Sequence, residues 1–227
     1  MRHWSLAKRM IAAVNTVVAV TLGLLIYLQV RQAASNARAQ AFQHAEDIAH
    51  RYGDEVGRTL NDAMLAARTV AQTFEGMKTA WVDDRSLYNS ILKQVLLANT
   101  NFIAVWSCWE PDALDGKDKD FVGKAGHDAT GRFIPAWHRA GTDAKLENLS
   151  GYSLPGTGNY YLKVKAADKE LPLDPQLFKA GAFEEEVIGM TVPMHYNSEL
   201  IGVVGVLLPA RQLQASVEVI ISPIWRL

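Results

Sequence analysis

The sequence predicts an α+β fold in which an N-terminal transmembrane helix continues into a long helix and is followed by an antiparallel sheet with a long polar loop. Residues 10–30 carry no charge and are numerous enough to span a bilayer. Residues 33–78 repeat apolar side chains at spacings of three and four, as an amphipathic helix does. Uncharged β-branched and aromatic segments, typical of buried strands, begin only after residue 100.

The transmembrane segment is the first element to justify. Inside a bilayer the backbone polar groups must be satisfied within the segment, so residues 10–30 are predicted to be helical. Arg2, Lys8 and Arg9 precede the span, and positive residues stay on the cytoplasmic side. This predicts a cytoplasmic N-terminus over residues 1–9 and a periplasmic location for the chain from residue 31 onward. A cleaved signal peptide is the alternative, but the apolar run is long and favours an uncleaved anchor.

Two helices are predicted before the sheet. The long periplasmic helix is assigned to residues 31–80, where alanine gives high helix propensity and a thin packing face, and no proline interrupts it. Such a rod also offers a surface for pairing with a second copy, so a homodimer through this helix is possible. A second helix is predicted at 84–98, with Asp83 or Asp84 as its N-cap and Asn99 as its stop.

The strands are predicted from apolar and β-branched runs. Residues 101–109 read as a buried strand, and 184–196 with 200–209 as a hairpin across a short turn. Pro193 indicates an edge or bulge position. Residues 112–182, rich in Gly, Asp, Pro and Tyr, are predicted to be a long irregular stretch with one or two short helical turns, which in a compact domain indicates a binding loop. A helical pattern resumes over residues 210–220.

Composition excludes several function classes. The net charge is −1 with dispersed Lys and Arg, so we expect no nucleic-acid partner. The single cysteine, Cys108, excludes an internal disulfide and a Cys-rich zinc site, and it is read as a small buried hydrophobe. Motifs of serine hydrolases, P-loop proteins and zinc peptidases are absent from the sequence. We therefore expect no enzyme, no metal and no cofactor.

One acidic segment has the composition of a calcium site but not its pattern. Residues 110–121, EPDALDGKDKDF, lack the order of an EF-hand loop. They are read instead as a solvated loop, which would expose the aspartates Asp112, Asp115, Asp118 and Asp120.

The polar and aromatic loop residues indicate a small-molecule site. Aromatic rings form apolar walls and can hold an amine through cation–π contact, whereas Arg132 with Arg139 can clamp a carboxylate. Trp106 is assigned to a strand face shared with Phe102, Ala104 and Cys108, so it is core as readily as pocket. The candidate ligand-binding residues are Trp109, Arg132, Trp137, His138, Tyr160 and Tyr161.

Three segments resemble a known sensor family. Residues 105–139, 156–165 (GTGNYYLKVK) and 187–208 look like the first strand with its pocket loop, a later loop, and the closing hairpin of double Cache domains. These are the PAS-like extracytoplasmic sensors of bacterial methyl-accepting chemotaxis proteins. The resemblance implies that residues 81–220 are the membrane-distal sensor module of an inner-membrane chemoreceptor. Histidine kinases and diguanylate cyclases use the same module and remain alternatives.

The sequence departs from that family in two ways. Amino-acid-binding members carry an Arg two residues before a Trp-Tyr pair; here Pro135 stands at that place and Trp137-His138 at the pair. The ligand class therefore stays open among amino acids, amines and organic acids. Family receptors continue into a second module and a cytoplasmic signalling region. Residues 221–227 are read as a truncated tail, which predicts a truncated receptor, a stand-alone anchored sensor or a non-functional fragment.

Overall fold

The computed structural model describes residues 6–211. The predicted helical pattern beyond residue 211, the predicted tail and Arg2 lie outside the described residues. The elements, in chain order, are α1 Leu6–Thr79, α2 Arg85–Ala98, β1 Ala104–Trp109, a 3-10 turn Asp118–Phe121, β2 Pro135–Ala140, β3 Asp143–Asn148, α3 Asn159–Ala167, β4 Leu171–Ala180, β5 Phe183–Tyr196 and β6 Glu199–Pro209. This is the α+β class that the sequence predicts.

Helix α1 confirms the predicted long helix and extends it. It runs for 74 residues without a break. Its N-terminal part holds a stretch long and apolar enough to cross a membrane, with a mean hydropathy of 2.2 over an 18-residue window. The apolar side chains there are exposed, as for Val14, Leu22 and Ile26. Further along, a narrow face packs into the core and consists of Ala63, Ala67, Val70, Ala71 and Phe74.

Helix α2 follows the sequence prediction closely. Asp84 is its N-cap and accepts a hydrogen bond from the Ser86 backbone N–H at 2.9 Å, as a capping carboxylate does. Its buried face is formed by Tyr88, Leu92 and Leu96, which recur at four-residue spacing. This face covers the same side of the sheet as the buried part of α1.

The six strands form one antiparallel sheet in the order β3-β2-β1-β6-β5-β4. Successive side chains on a strand point to opposite faces, so the sheet separates two cores. Val105 and Trp109 of β1 face α1 and α2. Trp106 and Cys108 face the opposite side, which α3 covers. We call these the helix side and the α3 side.

The prediction of an irregular stretch over residues 112–182 is wrong. This stretch contains β2, β3, α3 and β4. The strands were missed because β3 and β4 are the two edges of the sheet, where polar residues and prolines are common. The sequences DAKLEN and LPLDPQLFKA are set as strands by their pairing partners rather than by their own propensity.

The predicted hairpin is confirmed as β5 and β6. Asn197 and Ser198 form its turn with φ of 51° and 65°, the positive values that a tight hairpin turn requires. Pro193 has no N–H to donate to a neighbouring strand. Strand β4 pairs with β5 only as far as Thr191, so no hydrogen bond to β4 is lost at Pro193. Gly205 allows a close approach, because a Cβ there would lie 2.2 Å from the Trp106 ring.

The sheet curves until its two edges meet. An isolated bridge joins Leu149, just after β3, to Ala180 at the end of β4. Beside it the His138 ring of β2 stacks on the Phe183 ring of β5, with centroids 4.5 Å apart. The curved sheet thereby encloses the α3-side core, where the candidate site lies.

Candidate functional site

A buried guanidinium organises the α3 side of the sheet. Arg132 is only 9% exposed. Its Nη2 donates to the Tyr161 hydroxyl at 2.7 Å, and its Nε donates to the Trp109 carbonyl. The guanidinium carbon also lies 4.9 Å from the Tyr152 ring centroid and 5.3 Å from that of Tyr161. The two rings are nearly perpendicular, at 82°, and cation–π contact with both adds to the hydrogen bonds that hold the guanidinium.

An acidic residue completes this network at the end of β1. The Tyr161 hydroxyl donates to Glu110 Oε1, and Arg132 Nη2 lies 3.8 Å from the same oxygen. The other carboxylate oxygen of Glu110 accepts from Lys165 Nζ of α3 at 2.7 Å. The strand end, the loop before β2 and the helix α3 thus converge on one carboxylate.

A second carboxylate is fixed by its own turn. Asp128 Oδ1 accepts from the backbone N–H of Thr130 at 2.8 Å and of Arg132 at 3.0 Å, the local pattern expected of Asp in a turn. Its Oδ2 accepts from the Tyr152 hydroxyl. We refer to Glu110, Asp128, Arg132, Tyr152 and Tyr161 as the Arg132 cluster.

The protonation states in this cluster are fixed by burial and by its own contacts. Burial opposes the charge on Arg132, but the neighbouring Cys108, Tyr161 and Glu110 raise its pKa. Burial likewise opposes the Asp128 charge, yet hydrogen bonds from Tyr152 and Thr130 lower its pKa. Burial, the Cys108 side chain and the bond to Glu110 raise the pKa of Tyr161. At neutral pH the cluster therefore contains the Arg132 cation, the Asp128 anion and the un-ionised Tyr161 phenol.

The lone cysteine beside this cluster is inert. Cys108 is fully buried, and burial raises the pKa of its thiol to about 12. Its Sγ lies 3.6 Å from Arg132 Nη2. A protonated, inaccessible thiol is neither a nucleophile nor a metal ligand, in agreement with the reading of Cys108 as a small buried hydrophobe.

An aromatic group lies on the same face. Trp106 is fully buried, with the Tyr160 ring edge-on at 5.1 Å and the Phe178 ring stacked at 6.4 Å. Its indole Nε1–H is buried, and within residues 6–211 it has no hydrogen-bond partner. The Trp109 Nε1–H on the helix side is likewise buried and unpartnered among the described residues, and a buried donor without a partner is costly in a folded protein.

The six candidate residues from the sequence are divided between the two sides of the sheet. Arg132, Tyr160 and Tyr161 lie together on the α3 side. Trp109 lies on the helix side, with its ring 5.3 Å from that of Tyr88. Its place on β1, an odd number of positions from Trp106, puts it on the opposite face.

Trp137 and His138 point to opposite faces for the same reason. The Trp137 indole donates to Asn89 Oδ1 at 3.2 Å on the helix side, and Lys93 lies over its ring at 5.2 Å. His138 lies on the α3 side but is occupied by its stack on Phe183 at the meeting of the sheet edges. Sequence proximity therefore grouped side chains that the pleat separates.

Two further expectations need correction. The guanidinium of Arg139 is not free to clamp a carboxylate, because it donates to the carbonyls of Phe102, Leu96 and Asn99 and so caps the end of α2. Phe102 precedes β1 and belongs to the helix-side core. It therefore does not share a face with Trp106, although Ala104 and Cys108 do.

The acidic segment is only in part the solvated loop that we expected, because Asp112 and Asp120 are exposed and the other two aspartates are not. Asp115 and Asp118 are buried and both accept from Arg85, at 2.5 Å and 2.7 Å. Arg85 also donates to the Gly131 carbonyl at 3.0 Å. The apolar flank of this ion pair is the Phe121 ring, 4.0 Å from the guanidinium carbon. The segment is thus a buried brace that anchors the loop leading to Arg132.

The sequence missed Glu110, Asp128, Tyr152 and Lys165. Glu110 ends a buried strand, and a charged residue in that position is a general sign of a site at the rim of a sheet. Asp128, Thr130 and Gly131 form the turn signature D-x-T-G, which fixes the Asp side chain. Tyr152 and Lys165 carry no local signal, because only the packing of α3 brings them to the cluster.

A surface cleft of about 240 Å³ lies on the other flank of α3, between Asn159 and the β4 residues 171–176. Its charged side chains, Lys163 and Asp174, are 54% and 88% exposed, whereas the Arg132 side chain is 11% exposed. The Arg132 cluster instead brings together buried polar groups with shifted pKa values, which are common at functional sites. We therefore place the candidate site at the Arg132 cluster.

Comparisons with known proteins agree with this architecture. No family model matches the chain. The methyl-accepting chemotaxis protein TlpQ of Pseudomonas aeruginosa is 29% identical over 151 residues, which cover 60% of this chain and 21% of the receptor. The chain thus spans about a fifth of the length of that curated relative.

Solved structures show the same fold. The extracellular domain of the putative histidine kinase mmHK1S-Z3 is 26% identical with a TM-score of 0.67, covering 77% of this chain and 61% of that one. The sensory domain of the Campylobacter jejuni chemoreceptor Tlp3, with isoleucine bound, is 13% identical with a TM-score of 0.53, covering 77% and 62%. The described chain therefore has the fold of the extracytoplasmic sensor domains of bacterial histidine kinases and chemoreceptors, and its sequence is similar to that of a methyl-accepting chemotaxis protein.

Proposed function

We propose that the chain senses a small molecule outside the cytoplasm as the ligand-binding part of a chemoreceptor, and that the ligand binds at the Arg132 cluster. The observation that carries this proposal is the convergence of a buried cation, two carboxylates and two phenols on the enclosed face of the sheet. The unpartnered Trp106 Nε1–H on the same face supports it, because a ligand can supply the acceptor that residues 6–211 do not.

The site is suited to recognition rather than to catalysis. A general acid or base needs a pKa near the working pH. Here the Asp128 pKa is lowered and those of Arg132 and Tyr161 are raised, so these charges stay fixed. Fixed charges and phenol hydroxyls orient a ligand without exchanging protons with it.

The charges favour a ligand that carries groups of both signs. Arg132 and Lys165 would bind an acceptor such as a carboxylate by exchanging their present partners Tyr161 and Glu110 for it. Glu110 released in this way would bind an ammonium group. An amino acid has both groups, and the Tlp3 sensory domain of the same fold binds isoleucine. Amines and organic acids would use one half of the cluster each. Amino acids are therefore the first class to test.

The placement in the membrane is part of the proposal. Residues 1–9 are cytoplasmic, residues 10–30 cross the inner membrane once, residues 31–80 continue as the periplasmic helix, and residues 81–220 form the sensor module. The exposed apolar surface of the first segment supports this arrangement. The extracellular domain of a putative histidine kinase is also similar at 28% identity, which supports a kinase sensor as the second candidate function.

The test is a thermal-shift screen of the full chain in lipid nanodiscs against amino acids, amines and organic acids. A compound at ~100 times its dissociation constant should stabilise the fold by about 2.7 kcal/mol. We expect an amino acid to raise the melting temperature. Arg132→Gln and Tyr161→Phe should abolish this rise, whereas Trp137→Phe on the helix side should keep it.

Two results would overturn the proposal. One is a folded chain that no compound of the panel stabilises. The other is a stabilising compound whose effect survives Arg132→Gln and Tyr161→Phe but is lost in Trp137→Phe, because the ligand would then bind on the helix side.

A further inference from the structure

We infer that α3 transmits the occupancy of the Arg132 cluster to α1 through a set of polar contacts that we call the clasp. The clasp consists of Arg68 and Glu75 on α1, His195 on β5, and Asp168 and Glu170 directly after α3. This inference rests on the proposed function in taking the Arg132 cluster as the ligand site. It adds the route by which a change at the Arg132 cluster reaches α1.

The first contact of the clasp joins α1 directly to the end of α3. Arg68 Nε and Nη2 donate to the two carboxylate oxygens of Glu170 at 2.7 Å and 2.6 Å. A two-point guanidinium–carboxylate pair fixes both distance and orientation. The two side chains are 43% and 35% exposed, so this pair is accessible to water and its contribution to stability is small.

The second contact runs through β5. His195 Nε2 lies 2.7 Å from Asp168 Oδ1, and the His195 backbone N–H donates to Glu75 Oε1 at 2.6 Å. His195 thereby bridges the end of α3 and α1 at the bulge that ends the regular part of β5. Arg68 and Glu75 are two helical turns apart and lie on one face of α1.

Helix α3 links the clasp to the site. Tyr160 and Tyr161 at its beginning lie in the α3-side core, and Lys165 in its last turn holds Glu110. Asp168 is the C-cap, with φ of 48° and its N–H bonded to the Val164 carbonyl. A helix of this length moves as one body, so a shift of the Tyr161 hydroxyl also shifts Asp168.

The packing of α1 combines a thin face with one anchored side chain. Ala63, Ala67 and Ala71 form a shallow surface, whereas the buried Phe74 packs edge-on against the Tyr88 ring with centroids 4.9 Å apart. In the proposed coupling, the polar contacts of the clasp select among closely related positions of the helix. Coupling of this kind is a difference in free energy between two arrangements, and it has to be measured as such.

The experiment is hydrogen–deuterium exchange with mass spectrometry on the full chain in nanodiscs, without ligand. Tyr161→Phe perturbs the site, and the double variant Glu170→Gln with His195→Gln loosens the clasp. With the clasp intact, Tyr161→Phe should speed exchange of the α1 amides 66–78 by about threefold. In the loosened variant it should leave these amides unchanged. Lys163→Gln, on the exposed flank of α3, should have no effect in either background.

The inference is overturned if Tyr161→Phe changes the exchange rate of the α1 amides equally with the clasp intact and in the loosened variant. It is also overturned if this rate changes in neither background. Lys165→Gln is a second site perturbation, with the side chain 44% exposed, and it should reproduce the result if Tyr161→Phe lowers the folded yield. Clasp-dependent coupling in a chain that binds no compound of the panel would support the clasp and remove the ligand site. Ligand binding in a chain whose α1 exchange does not depend on the clasp would support the ligand site and remove the clasp.

Discussion

At the scale of single residues, buried charges decide where the loop between β1 and β2 lies. Arg85 is 3% exposed and neutralises two buried carboxylates. On the other face of the sheet, the Arg132 guanidinium donates to Tyr161 and lies 3.8 Å from the carboxylate of Glu110. Neither arginine stands out by its local sequence, because each finds its acidic partners across a turn or a strand.

Arg85→Gln should destabilise the fold strongly. Removing the guanidinium leaves Asp115 and Asp118 buried without a counter-charge, which costs about 3–5 kcal/mol. Urea unfolding followed by tryptophan fluorescence measures the loss. Lys145→Gln removes the same charge from an exposed position of β3 and should change stability by less than about 0.5 kcal/mol. Equal effects of the two changes would show that Arg85 is not a brace.

His127 should make stability depend on pH. Its ring is 5% exposed and stacks on Phe121, and burial lowers its pKa below the ordinary 6.5. The unfolded chain therefore binds a proton in the window just below pH 6.5 where the folded chain does not, so stability falls as pH falls through that window.

The substitution His127→Phe should flatten this dependence, because it keeps the ring stacking and removes the titrating group. Melting temperatures at pH 7.5 and pH 5.5 test it, with His44→Phe at an exposed position of α1 as the control. An unchanged difference between the two pH values in His127→Phe would contradict the assignment of the buried, uncharged ring.

At the scale of elements, the turn before β2 depends on one glycine. Gly131 has φ of 84°, and a Cβ there would lie 1.7 Å from the Asp118 carbonyl oxygen. Gly131→Ala should therefore cost more than the roughly 1–2 kcal/mol of a left-handed conformation alone. Gly123, with φ of 77° and open space around it, is the matched control for conformation without collision. Similar unfolding free energies for the two alanine variants would contradict the tight packing of this turn.

The sequence predicted those elements whose signal is local. Helix α2 was found with its cap at Asp84, and the β5–β6 hairpin with its turn, because capping and turn chemistry are written in adjacent residues. Strands β3 and β4 were missed because they are edge strands with polar residues, which only pairing with β2 and β5 makes regular. Short helical turns were expected within residues 112–182, but α3 was not located because GNYYLKVKAA is short and carries no side-chain cap.

The candidate site was predicted in part for the same reason. Arg132, Tyr160 and Tyr161 were selected by residue type and do converge. Trp109 and Trp137 were selected with them, but strand alternation places both on the helix side. A side chain can be assigned to a face of the sheet only when the start of its strand is known. The sequence of residues 101–109 did not show where the strand begins.

At the scale of the whole molecule, the fold separates two tasks on the two sides of one sheet. The helix side holds α2 and the alanine face of α1, and the α3 side holds the enclosed polar cluster. The polar contacts at the end of α3 are what connect them. Under the proposed function, a ligand at the Arg132 cluster would act on α1 through these contacts without touching it.

The measurement that tests this account most directly uses the indole N–H groups of Trp106 and Trp109. Both are buried and unpartnered among the described residues, but they lie on opposite sides of the sheet. Nuclear magnetic resonance of the chain with ¹⁵N-labelled tryptophan, titrated with the compound that gives the largest thermal shift, reports on both at once. We predict that the Trp106 N–H resonance moves on binding and that of Trp109 stays. Movement of Trp109 with an unchanged Trp106 would contradict a ligand site on the α3 side.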